Sequence, residues 1–171
     1  VLALGTLFGV GGSAFAAIKL GEGRKDVAEK VLNTVTTMAF IIGIIMMIAG
    51  LIYLEPILKI FGATDQTMQY SKEFGGIMIA IIPITMLIIG LANLARADGN
   101  PRLAMRSLVS GVVINLLLAP FFIFQFHWGV WGAALATACA QIFSLAVLIW
   151  YFVRSSKMRL SLHYLLNPDL N

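Results

Sequence analysis

Ser107–Val153 reads SLVSGVVINLLLAPFFIFQFHWGVWGAALATACAQIFSLAVLIWYFV, 47 residues without one Asp, Glu, Lys or Arg. A helix crossing the hydrocarbon core of a bilayer needs about 20 mostly apolar residues. This run is therefore long enough to cross twice, with a turn near His127. Residues 1–18, 31–54 and 74–95 are also free of charge, and each has room for one crossing. The predicted spans are 1–18, 33–54, 74–95, 105–126 and 129–153. A transmembrane β-barrel would instead show short segments of alternating hydrophobicity. The whole chain agrees: 60% of its 171 residues are hydrophobic, 12% are charged, and the mean hydropathy is +0.92. A soluble domain averages about 45–50% apolar and about 25% charged. Disordered chains, coiled coils and soluble enzymes are thereby excluded. The expected fold is all-α, a single transmembrane domain over 1–171 with five transmembrane helices.

The other bulk features are explained by the membrane. The net charge is +4, but the basic residues fall in short loops between spans, so no nucleic-acid partner is expected. Cys139 is the lone cysteine and lies inside a span, so there is no disulfide framework and no Cys-based metal site; no cofactor is expected. Lys19, Arg24, Lys25 and Lys30 follow the first span, Arg96, Arg102 and Arg106 follow the third, and Arg154, Lys157 and Arg159 follow the fifth. The opposite side holds only Lys59 and Lys72. Basic loops stay in the cytoplasm, which predicts a cell-membrane protein with its chain start outside and its C-terminus inside. The opening Val1-Leu2-Ala3-Leu4 enters an apolar run at once and reads as internal to a longer polypeptide. One helix ahead of it would make six spans, a common half-unit of two-lobed transporters.

In lipid, helices associate through small residues that let backbones approach. Gly5 and Gly9 have the GxxxG spacing. Ser107, Gly111, Asn115 and Ala119 recur at steps of four, as do Gly132, Ala136, Ala140 and Ser144, so each set shares one helical face. Such faces pack helices, and they also line any cavity between them. Thr36, Thr37, Asn93, Asn115, Thr137 and Gln141 are the polar residues deep in spans. A buried amide needs a partner. That partner is a neighbouring helix, at about 0.6–2 kcal/mol per bond, or a substrate or ion in a polar pocket. Asn93, Asn115, Thr137 and Gln141 are the cavity candidates. Pro83 and Pro120 interrupt spans and remove backbone donors, giving a static kink or a hinge for alternating access. In the loops, Glu55-Pro56 restarts an amphipathic segment ended by Gly62, suited to the outer interface. Asp98-Gly99-Asn100-Pro101 signals a turn, with Pro101 in the first turn of the next helix. All eight Asp and Glu residues fall in predicted loops or at span ends. A cation-coupled transporter ordinarily places a carboxylate inside the membrane.

Three stretches resemble the multidrug and toxic compound extrusion (MATE) family. Leu20-Gly21-Glu22-Gly23-Arg24-Lys25-Asp26-Val27-Ala28 is similar to that family's loop after its second helix. Asn93-Leu94-Ala95-Arg96-Ala97-Asp98-Gly99-Asn100-Pro101 is similar to its turn after the fourth. Asn115-Leu116-Leu117-Leu118-Ala119-Pro120-Phe121-Phe122-Ile123, followed by Gly129-Val130-Trp131-Gly132-Ala133-Ala134-Leu135-Ala136-Thr137, is similar to its fifth and sixth helices. The resemblance covers nearly the whole chain. It implies helices two to six of a twelve-helix transporter, most of a six-helix N-terminal lobe whose first helix and C-terminal partner lobe lie elsewhere. It implies a non-enzymatic, cation-coupled antiporter that uses H+ or Na+ to export organic, often cationic, compounds by alternating access. By position, Asn93, Asn115 and Thr137 match residues that line the N-lobe cavity in some members. Ala119 stands where many members carry Asp, which removes one proton-binding site. Two other functions share these features. A lipid-linked oligosaccharide flippase of the same superfamily would need basic residues in its cavity, and no Lys or Arg lies deep in a span. A noncatalytic membrane subunit would need only the packing faces.

Overall fold

The computed structural model describes residues 2–64, 66–154, 156 and 158. Lys157 and Arg159 of the basic tail, and Val1 of the opening, lie outside the described residues. Helix α1 spans Leu2–Gly21, α2 Lys25–Ile52, α3 Leu54–Ile60, α4 Met68–Ala80, α5 Ile82–Ala97, α6 Pro101–Pro120 and α7 Gly129–Arg154. A π-helical turn, Phe121–Gln125, extends α6. Among the described residues, four helical stretches are long and apolar enough to cross a membrane, and α4 with α5 makes a fifth, bent by 41°.

The local chemistry sets the ends of these elements. Gly23, Gly62 and Gly99 take φ of 76°, 89° and 86°, the left-handed region that favours glycine, and each closes a turn after a helix. Asn100 caps α6 by accepting the Leu103 N–H at 3.2 Å, and Pro101 fills the first turn, where its missing N–H costs nothing. Helix α3 packs against α2 and α4, and the Lys72 ammonium of α4 pairs with Glu55 of α3. That hydrogen bond holds the exposed Glu55 carboxyl below the usual carboxylate range.

The predicted third span, 74–95, is not one helix. The chain breaks at Ile81, two residues before Pro83. Proline supplies no N–H and crowds the preceding turn. The break is also where α2 packs tightly: a Cβ on Gly43 would lie 2.6 Å from the Pro83 Cα. At Pro120 the outcome differs, because α6 continues into the wider π turn. This turn is filled by aromatic rings. Phe121 and Phe126 meet edge to face at 5.4 Å, and Phe126 and Trp128 sit 4.9 Å apart. Gly132 abuts this cluster: a Cβ there would lie 3.1 Å from the Phe122 and Trp128 Cβ atoms.

Helix α5 is the hub. It packs on α1, α2, α6 and α7, and Met86, Ile88, Leu91, Ala92, Leu94 and Ala95 along it are buried. Gly5 and Gly9 bring α1 onto it, with a Cβ at Gly5 3.2 Å from Ile89 and Met86. Helices α6 and α7 form an antiparallel hairpin. Its seam is Ser107 against Ser144, both buried, with the Ser107 hydroxyl donating to the Ser144 carbonyl at 3.2 Å. Gly111 lies beside them, its Cβ position 2.9 Å from Ser144 Oγ. The core joins Ala16, Leu32, Leu94, Ala104, Leu148 and Phe152. It lies at the end of the bundle where α1, α5 and α7 finish and α2 and α6 begin. At that end Asp98 is buried, accepting hydrogen bonds from Tyr151 Oη at 2.6 Å and Ser156 Oγ at 2.8 Å.

Candidate functional site

Between α5, α6 and α7 lies a cleft of about 310 Å³. Its walls are Ile88 and Ile89 from α5, Leu108, Gly111 and Val112 from α6, and Ala140 from α7. The small residues create it. Gly111 and Ala140 have too little side chain to fill the space that their helix spacing leaves, so the stripe that packs the hairpin also opens its flank. Into this apolar space the three helices carry five uncharged polar residues: Thr85, Asn115, Thr137, Gln141 and Ser144.

These polar groups are tied in pairs. Asn115 Nδ2 of α6 donates to Thr137 Oγ1 of α7 at 2.9 Å, and the Thr137 hydroxyl in turn donates to the Ala133 carbonyl at 3.1 Å. Thr85 Oγ1 of α5 donates to Gln141 Oε1 of α7 at 2.6 Å. Each pair spends only part of its capacity. A primary amide offers two donors and an acceptor oxygen with two lone pairs. The second N–H and the carbonyl oxygen of Asn115, and the NH₂ of Gln141, make no hydrogen bond among the described residues. In a cleft with apolar walls, groups of this kind can orient a guest. Among the described residues, no Asp, Glu, Lys, Arg or His lines the cleft, and no group of three or more His, Cys, Asp or Glu is placed to hold a metal.

Residues 1–121 match the MatE family. The chain belongs to the MatE family. It is a homologue of multidrug export transporters and a multi-pass membrane chain. It is 31% identical over 157 residues to multidrug export protein MepA of Staphylococcus haemolyticus, which covers 92% of this chain and 35% of that protein. It thus spans about a third of the length of the curated relatives it matches. Its fold is similar to a structure described as the inward-facing conformation of a multidrug resistance MATE family transporter of the MOP superfamily, with TM-score 0.88, 26% identity, and 94% of this chain against 37% of that one. A structure described as the outward-facing conformation of such a transporter gives TM-score 0.85 at 27% identity, covering 95% of this chain and 36% of that one.

In this MATE chain the sequence candidates separate. Asn115, Thr137 and Gln141 meet in the cleft. Asn93 does not: its Nδ2 bonds the Ile89 carbonyl at 2.9 Å, its Oδ1 accepts from Arg96 at 2.7 Å, and its side chain lies against Gly9 of α1. Gly111 lines the cleft, while Gly5, Gly9, Gly132 and Ala136 lie where helices and turn residues pack. Pro83 and Pro120 lie at the broken and widened points of their spans, outside the cleft walls. Sequence reasoning missed Thr85. The signal available was its position three and four residues before Ile88 and Ile89, on their helical face. It was masked because a threonine in a helix commonly bonds its own i−4 carbonyl, as Thr85 also can with Ile81 at 3.1 Å.

Proposed function

We propose that the native protein carrying this chain is a cation-coupled antiporter that exports organic, drug-like compounds by alternating access, and that the α5–α6–α7 cleft holds part of the exported compound. The observation that carries this reading is the pairing of apolar walls with partly unspent amides at Asn115 and Gln141. Such a site accepts the hydrophobic body of an amphipathic molecule and orients it weakly, which suits broad specificity. It also carries no fixed positive charge to repel a cation. The lipid-linked oligosaccharide alternative is less well served, because a pyrophosphate needs the basic lining that this cleft lacks. Helix packing alone, as in a noncatalytic subunit, gives no reason for amides to keep unspent groups.

Coupling is the second part of the proposal. Ala119 follows Asn115 by one helical turn and has no proton to exchange, so the driving H+ or Na+ binds at a carboxylate outside this cleft. The similarity to both inward-facing and outward-facing structures supports this bundle moving as one body, residues 1–171 acting as a single transmembrane unit, with flexure reserved for Pro83 and Pro120. The end rich in Lys and Arg faces the cytoplasm, with the chain start outside. The test is export of a cationic dye by the native protein in energised membrane vesicles. Export should stop when one gradient, of protons or of sodium, is collapsed alone. Export that persists with both gradients collapsed would overturn coupled antiport.

A further inference from the structure

A second groove runs along the outside of the α6–α7 hairpin, on a different face from the cleft. It encloses about 520 Å³ and is lined by Arg106, Val109, Ser110, Val113 and Ile114 of α6 and by Phe143 of α7, with Met105 at its edge. Arg106 is five residues into α6, and no ion pair or hydrogen bond engages it among the described residues. Its neighbour Ser107 packs against Ser144. At about 1.5 Å per residue, the Arg106 backbone lies about 8 Å along α6 from its start at Pro101. An arginine at this depth lifts its guanidinium toward the headgroups, yet the groove beneath it is apolar for a further two turns. Met105 and Val109 are 59% and 53% exposed, so the groove is open along its length. Arg102, one turn nearer the helix start, adds a second exposed cation on the same face.

We propose that this groove is a binding site for an anionic phospholipid, with its phosphate on Arg106 and one acyl chain along Val109, Val113, Ile114 and Phe143. A planar guanidinium takes a phosphate through two parallel hydrogen bonds, and the paired Arg102 and Arg106 select a headgroup with net negative charge. The site is separate from the cleft and does not rest on the transport reading.

The experiment titrates the native protein, purified in detergent, with fluorescent phosphatidylglycerol and, separately, phosphatidylcholine. Phosphatidylglycerol should bind more tightly. R106Q should weaken it by about tenfold, the order of one lost charge-assisted hydrogen bond, and weaken phosphatidylcholine less; R106K should fall between. Equal phosphatidylglycerol binding by the wild-type protein and R106Q would overturn the proposal. A photocrosslinker at position 113 provides a second readout in membranes. Capture of lipid supports the site, whereas capture of another segment of the protein means that protein covers the groove and the proposal fails.

Discussion

Gly43→Val is expected to be the most damaging single substitution in the bundle. A Cβ at this position would lie 2.6 Å from the Pro83 Cα and 3.3 Å from its nitrogen. Those are backbone atoms of the residue that fixes the bend between α4 and α5, so neither can rotate away. Overpacking of this kind costs about 1–3 kcal/mol, and more where the backbone has to move. The purified variant should melt well below the wild-type protein and accumulate poorly in membranes. Gly11→Ala is the control, because nothing lies within 4 Å of its Cβ position, and it should melt like the wild type. A Gly43→Val protein as stable as the Gly11→Ala protein would show that α2 does not hold the bent span.

The second large effect is expected at Asn115. Replacing it by leucine removes the bond to Thr137 and both unspent polar groups, while Thr137→Val removes only the bond. Loss of one interhelical bond costs about 0.6–2 kcal/mol of stability, so both variants should fold. Export should nevertheless separate them. Asn115→Leu should lose at least about tenfold in export of substrates with hydrogen-bonding groups, the order of a buried group left unpaired. Thr137→Val should retain most of it. Equal, mild losses in the two variants would reduce Asn115 to a packing residue.

The two sites differ in how far the chain announces them. Spans are legible because charge is excluded from the bilayer core, and the turns at Gly23, Gly62 and Gly99 because their backbone needs glycine. The bend at Ile81 is only half legible. Pro83 marks it, but whether a proline kinks or breaks a helix depends on what presses against it, here Gly43 forty residues earlier. In the cleft, Asn115 stood out as an amide on a small-residue stripe and Thr137 as a hydroxyl deep in the next span, and the hairpin brings them together. Asn93 carried the same signal and went elsewhere, because Gly9 gives it room on α1 and Arg96 takes its oxygen. Asp98 is the reverse case. A turn signal hid a buried carboxylate whose partner, Tyr151, is 53 residues away.

We propose that the exported compound sits between α5, α6 and α7. Val112 lines that cleft and is 68% exposed, so a cysteine there will meet a small alkylating reagent. The native Cys139, also exposed, is first replaced by alanine. The alkylation rate at Val112→Cys is then measured in the native protein with and without a transported cationic dye. The dye should slow alkylation at position 112 and leave a control cysteine in place of Val109, in the outer groove, unaffected. Transport of the dye with no protection at position 112 would contradict it.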